Sequence, residues 1–365
     1  MLERSESISG GGVIDFTPPR TAFGRSTSAY ESTVALSSMA STLKGRVEVL
    51  LNFHKTTLYP SIMDNSSYTP APAADFVLPF DVAAAGVRGR LVRLDASSSR
   101  ALSLHALAEP AARVAGEMLA LATLLGTALK LDGRLTAQIK GDGALDLAAA
   151  DYYGADGDRP KGVRGYARLD AERFASLSGT PSFAALAGAG VLAITVEPKL
   201  GGKTYQGIVE LSPKGIAASA ETYFEQSEQL PTLIRLAAAP LYTAGKREPS
   251  WRAAGLLLQV MPGATRSDDD WERLEMLART VEDVELVDTA LSAETLLWRL
   301  FHEEEVRVQP AETITFRCDC DGERIASVLR SYSPEDRAGL ADADGTIRAR
   351  CEFCGKVHEI AGVEL

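Results

Sequence analysis

Cys318-Asp-Cys320 and Cys351-Glu-Phe-Cys354, thirty residues apart, hold all four cysteines of this 365-residue chain. Two tight turns that each present two thiolates suit a closed, tetrahedral zinc site. That constrains the last fifty residues. The stretch from Asp321 to Arg350 is charged and glycine-punctuated, and Val328, Leu329 and Ile347 offer little core of their own. Such a module folds on its metal, because metal-binding free energy, about 10–16 kcal/mol for small zinc modules, is folding free energy. Zinc also holds its sulfurs as thiolates, the form that oxidants attack. A disulfide within either pair would remove ligands, eject the metal and unfold residues 311–360. Spacing alone leaves two readings open, a permanent structural knuckle and a thiol-based switch.

The net charge of −11 is unevenly spread, and the distribution excludes one class of function. Residues 263–310 balance at −8 and residues 311–365 at −4, which leaves residues 1–262 at +1. A zinc module that binds nucleic acid needs a basic footprint for phosphate, and this one is acidic. No nucleic-acid partner is expected. Nor is a membrane, since the longest uninterrupted apolar run, Met118 to Leu129, stops at about a dozen residues. Clustered cysteines with none scattered elsewhere fit a reducing compartment, and the chain is expected in the cytoplasm.

Residues 1–74 show no sustained period: Gly10-Gly11-Gly12, a serine-rich stretch from Ser26 to Ser41 and a Pro/Ala run near Pro70 mark an extension. Glu3 and Glu6 are wrong for a targeting peptide. From Asp75 the pattern becomes globular. Phe76–Phe80 and Gly89–Leu94 read as strands around Gly86, and Ser99–Lys130 as a long helical stretch broken by Pro110. Arg134–Lys140 and Ala144–Ala150 alternate on either side of Gly141-Asp-Gly143, a hairpin signature. Val163–Leu169 adds a strand with Arg164, Tyr166 and Arg168 on one side. A second hairpin joins Val191–Glu197 to Thr204–Leu211, Gly215–Gln229 is helical, and Thr232–Leu241 and Trp251–Val260 are apolar enough for strands buried on both faces. The fold class is α+β: a core of antiparallel hairpins with packed helices over residues 75–262, a helical linker over 263–310 and a small zinc-binding module over 311–365.

The linker opens well and closes badly. Ser267-Asp-Asp-Asp270 places a cap and acids at the positive end of a helix on which Trp271, Leu274, Ala278 and Val281 recur. A second helix from Ser292 carries Leu296, Leu297, Leu300 and Phe301, then meets Glu303-Glu304-Glu305 at its negative end. Each such mismatch costs about 0.3–1 kcal/mol. Apolar faces on a self-repelling segment need a docking surface and are expected to be among the first elements to let go.

Other motifs carry less. Gly202-Lys203-Thr204 resembles the end of a phosphate loop, but Glu197 stands at the first glycine position and the context is a hairpin, so no nucleotide site is expected. His302-Glu303 begins like a zinc-protease helix, with Val306 where the second histidine belongs. Joined to Cys351-x-x-Cys354 it loosely suggests a zinc deaminase, yet Arg350 replaces the expected proline and the Cys318/Cys320 pair has no role there. His358 could be a fifth donor to an already closed set of four. His54 and His105 have no partners visible in sequence. A zinc-dependent hydrolase or deaminase and a constitutive zinc interaction module stand as the alternatives to a switch.

The cysteine set with Gly355, preceded by Leu296-Leu-Trp-Arg-Leu-Phe-His-Glu-Glu304 and Val306-Arg307, resembles the heat-shock protein 33 family of redox-regulated chaperones. Tyr223-Phe-Glu-Gln-Ser-Glu-Gln-Leu-Pro-Thr232 and Gly255-Leu-Leu-Leu-Gln259 with Pro262 agree, and the likeness extends over about residues 75–360. It implies an ATP-independent holdase, not an enzyme. Reduced, it would hold one zinc per chain on Cys318, Cys320, Cys351 and Cys354. Oxidised, it would form the disulfides Cys318–Cys320 and Cys351–Cys354, lose zinc, unfold its C-terminal parts and bind unfolding client proteins as a homodimer. The apolar linker faces, with Trp271, Leu274, Val281, Leu296, Leu297, Leu300 and Phe301, would be the client-contacting surface.

Overall fold

The computed structural model describes residues 75–361, apart from residues 106, 200 and 264–266. The expected extension over residues 1–74, and His54 within it, lie outside them. The chain begins with β1 (Phe76–Val82) and β2 (Val87–Leu94), joined through a left-handed Gly86, then α1 (Ala96–Leu102) and α2 (Glu109–Ala128). β3 (Gly133–Gly141), β4 (Leu145–Tyr153) and β5 (Gly162–Leu169) follow, then α3 (Ala171–Ala175), α4 (Phe183–Ala187), β6 (Gly190–Pro198) and β7 (Tyr205–Glu210). α5 (Ile216–Tyr223) runs into a π-helical turn before β8 (Thr232–Leu241) and β9 (Ser250–Val260). The linker holds α6 (Asp268–Arg279), α7 (Asp283–Val287) and α8 (Ala293–Phe301). After it come β10 (Val306–Val308), β11 (Glu312–Thr313), β12 (Thr315–Phe316), α9 (Gly322–Arg330), α10 (Pro334–Leu340), β13 (Thr346–Arg350) and β14 (Val357–Ala361).

Two six-stranded sheets dominate. The first runs β10-β1-β2-β9-β8 with β11 also on β1, and the second runs β12-β5-β4-β3-β6-β7. Every pairing in them is antiparallel except the parallel β12–β5 contact. The expected hairpins and the α+β class are all present. Between the sheets lies α2, buried almost all round. It is long and apolar enough to cross a membrane by length and composition, yet 89% of its most apolar window is buried inside the protein, between the two sheets. Pro110 does not interrupt a helix, as its place in the sequence suggests. It sits in the first turn of α2, where its missing N–H has no intrahelical partner to lose.

The first sheet is covered on both faces, which explains its continuous apolar strands. Alternation along the strands sends Val92, Ile234 and Leu257 toward α2, and Leu91, Leu233 and Leu258 to the opposite face. The linker helices pack on that opposite face. Leu274, Val281, Leu296, Leu297, Leu300 and Phe301 are all buried there, and Trp271 is partly buried beside them. Phe301 lies 6.2 Å from Phe80 of β1, ring centre to ring centre. Each such side chain contributes about 1.5–3 kcal/mol by leaving water. The docking surface that the acidic linker requires is therefore the outer face of the first sheet.

Core arginines add polar fastening. Arg93 of β2, nearly buried, donates from Nε to the Leu286 carbonyl at 2.9 Å and from Nη2 to that of Glu285 at 3.1 Å, and it also bonds the Leu291 carbonyl. Arg235 of β8 donates to the Val281 carbonyl at 3.1 Å. The poorly ended α8 is better satisfied than its charge pattern suggests. Arg273 of α6 reaches Glu304 at 2.7 Å, and that carboxylate is only 9% exposed. Arg307 takes Glu305 at 2.8 Å. α7 was not legible, because five residues are too few for a period to show.

One half-buried acid of the core feels the charge of the linker. Glu117 of α2 is pushed up to about 8, first by burial, then by Asp283 of α7, with Arg113 opposing. The native state thus keeps a proton that the unfolded chain gives up near the ordinary value of 4.5, and stability falls as pH rises between the two. Glu117→Gln is expected to remove that slope. Its unfolding free energy from urea titration should exceed that of the parent increasingly from pH 6 to pH 8, by a margin of about 1–3 kcal/mol. Parallel free energies across that range would exclude the effect.

Candidate metal centre

The C-terminal module has a small core: Ala326, Leu329, Ile347 and Ile360. Val328 is no part of it, being 54% exposed. What gathers the module is its sulfurs. Cys318 and Cys320 lie on the extended segment between β12 and α9, and Asp321 caps α9 by accepting from the Glu323 N–H. Cys351 and Cys354 occupy the turn between β13 and β14. The Gly355 N–H donates to the Cys351 carbonyl at 2.8 Å, and Gly355 has a φ of +70°, a left-handed conformation that favours glycine.

All four Sγ atoms lie within 4.8 Å of one another. Cys318 and Cys351 are 3.7 Å apart, and Cys320 and Cys354 are 3.5 Å apart. The edge of a tetrahedron with Zn–S bonds of about 2.3 Å is about 3.8 Å, so the donor set fits a four-thiolate metal. Burial pushes the Cys318 thiol up against the pull of Arg164, and it pushes Cys320 up with help from the neighbouring sulfurs. At Cys354 burial is outweighed by the Lys356 N–H and the other sulfurs, and that thiol is lowered. A soft dication here displaces thiol protons as it binds.

The surroundings join the module to the second sheet. β12 pairs with β5 at Thr315–Gly162 and Phe316–Val163. The close approach requires glycine, since a Cβ on Gly162 would lie 2.3 Å from that of Arg317. Arg317 donates to the Gly154 carbonyl at 2.9 Å and pairs with Asp319 at 3.0 Å, and Asp319 also meets Arg159. Phe353, inside the second cysteine turn, packs edge-on against Tyr166 of β5 at 4.7 Å.

Beneath lies a charged cluster that sequence reasoning missed. Arg164 of β5 donates from Nη1 to Cys318 Sγ at 3.1 Å and from Nε to Asp151 of β4 at 2.7 Å. Asp151 is wholly buried, and it also accepts from Arg134 at 3.0 Å and from Thr136 at 2.6 Å. The Arg164 guanidinium lies 4.0 Å from the Phe353 ring centre. Alternation places Arg164 and Tyr166 on one face of a strand, but nothing local points to a cysteine 154 positions later.

The remaining expected residues fall elsewhere. His358, nearly buried, places Nε2 3.3 Å from Cys320 Sγ, beside the cluster. His302 ends α8 and packs against Trp298 at 5.8 Å. Among the described residues, neither His302 nor Glu303 joins a metal-capable group. Gly202-Lys203-Thr204 lies in the connection between β6 and β7, as a hairpin requires.

Comparison with known proteins gives a consistent picture. The model of the Hsp33 protein family matches residues 75–361. The 33 kDa chaperonin of Caulobacter vibrioides (strain NA1000 / CB15N) is 37% identical over 292 residues, covering 78% of this chain and 94% of that protein. The 33 kDa chaperonin of Pasteurella multocida (strain Pm70) is 40% identical over 270 residues, covering 74% and 88%. The crystal structure of the 33 kDa chaperonin (heat shock protein 33 homolog) of Thermotoga maritima shares the fold, with a TM-score of 0.64 at 22% identity over 79% of this chain and 96% of that one. By the extent of these matches and the four sulfurs drawn together at its C-terminal end, the chain belongs to the Hsp33 family.

Proposed function

We propose that the chain is a redox-regulated, ATP-independent holdase that is quiescent when reduced and binds unfolding proteins under oxidative stress. The four-sulfur cluster carries the reading. A closed set of thiolates holding one zinc through Cys318, Cys320, Cys351 and Cys354 is a stable latch for reductants and a target for oxidants. The working division is a core over residues 75–262, a metastable linker over 263–310 and a switch over 311–365. Disulfides Cys318–Cys320 and Cys351–Cys354 release the metal, the switch unfolds, and the linker helices leave the first sheet. Trp271, Leu274, Val281, Leu296, Leu297, Leu300 and Phe301 then become the surface for clients, in a homodimer working in the cytoplasm without nucleotide, nucleic acid or membrane.

A metal-dependent hydrolase or deaminase needs an open coordination position. Four sulfurs that close a tetrahedron weigh against it, as does the place of His302 outside the cluster. The test is zinc release with free-thiol counting across a titration of hydrogen peroxide or hypochlorite, beside an aggregation assay with a thermally unfolding client. About one zinc per chain is expected to leave as four thiols disappear, with suppression of aggregation rising in step. Oxidised, zinc-free protein that lets the client aggregate as fast as buffer would sink the proposal. Zinc retained under oxidant would point to a constitutive module.

A further inference from the structure

We propose that Arg164, on the core sheet, is a positioning residue that sets how readily Cys318 is oxidised and so makes the core part of the switch. The inference rests on the redox reading above and adds its control. One side chain reaches both cysteine-bearing segments: its Nη1 donates to Cys318 Sγ at 3.1 Å, and its guanidinium lies 4.0 Å from the ring centre of Phe353, within the Cys351–Cys354 turn. It is held in that pose. Nε is bonded to Asp151, wholly buried and fixed in turn by Arg134 and Thr136.

An N–H donor on a metal-bound thiolate withdraws electron density from the sulfur and tunes both its reactivity and its hold on the metal. The bond is also state-dependent. A guanidinium stays charged at any working pH, so the sulfur is what changes. Attack of the Cys318 thiolate on hydrogen peroxide breaks the O–O bond and, with one proton, yields a sulfenic acid and water. The Cys320 thiolate then displaces the hydroxyl, which leaves as water with a second proton. Two thiolates thus give up two electrons, one peroxide becomes two waters, and zinc loses two ligands. The product sulfur is neutral, so the charge-assisted bond to Arg164 goes with it. Asp151 keeps Arg134 and Thr136, so its buried charge stays partnered within β3 and β4 when the module departs.

The test uses the full chain, reduced and zinc-loaded, as wild type, Arg164→Met and Arg164→Lys. Zinc release under a fixed excess of hydrogen peroxide is followed with a chromogenic chelator. The sulfur-to-metal charge-transfer band is recorded with cobalt in place of zinc. Arg164→Met is expected to bind one metal, release it roughly tenfold faster and move the band to lower energy. Arg164→Lys, which keeps the charge with a smaller donor, should return the rate and the band most of the way. An unmoved band with a wild-type rate overturns the proposal, and so does faster release with an unmoved band, which would mean mere loosening. Should the methionine chain not fold, Arg164→Lys decides alone: a smaller shift in both readouts supports the proposal and none overturns it. Wild-type zinc that peroxide does not release sinks the redox reading and this inference together. Wild-type release that Arg164→Met leaves unchanged sinks this inference only.

Discussion

Cys351→Ser is expected to abolish stable zinc binding and to unfold the module from α9 to β14, residues 322–361, while the two large sheets stay intact. The module's own core is four side chains, of which one is an alanine. That burial falls short of the roughly 10–16 kcal/mol a structural zinc supplies. Serine keeps the size of the side chain and loses the soft thiolate. Metal analysis of the purified chain should therefore find far less than one zinc. Hydrogen exchange should show α9, α10, β13 and β14 unprotected, with α2 as slow as in the parent. Protection of the module in the serine chain would mean that it folds without its metal, and the latch would need another basis.

Arg93→Met should loosen the linker without touching a single sulfur. Arg93 serves three linker carbonyls, those of Glu285, Leu286 and Leu291, from a nearly buried position. Removing the guanidinium strands those carbonyls at a cost of about 3–5 kcal/mol, and most of it falls on α7 and the start of α8. In the reduced, zinc-loaded chain, amides between Asp283 and Phe301 should exchange faster by two orders of magnitude or more, since about 1.4 kcal/mol is a factor of ten. On the proposed mechanism, this chain also restrains client aggregation before any oxidant is added. Unchanged exchange would show that apolar packing alone holds the helices.

The elements were legible where a local pattern suffices. The hairpin at Gly141-Asp-Gly143, the doubly buried β8 and β9 and the Ser267 cap with its acids follow from periods and turn chemistry. The four cysteines were legible as a site because their spacing is itself the signal. The rest is non-local. Arg93 and Arg164 look like ordinary strand residues, and their partners lie 192–198 and 154 positions away. The Glu303–Glu305 run misled for the same reason, since Arg273, which answers Glu304, comes from another helix. Charge patterns along one helix overstate its frustration whenever a neighbour supplies the counter-ion.

The pairing of β10 and β11 with β1 gives the linker a consequence of its own. β9 ends at Val260 and β10 begins at Val306, and both belong to the same sheet. While β10 stays in place, the released linker is a tether anchored at both ends rather than a free tail. Closing a loop of about 45 residues costs little more than closing one half as long, about 0.6 kcal/mol. The helices therefore remain at an effective concentration near the millimolar range above their own docking face. A client must compete with that face for the same apolar side chains, so its departure and the return of the helices become a single exchange, and recovery needs no second molecule to find the first.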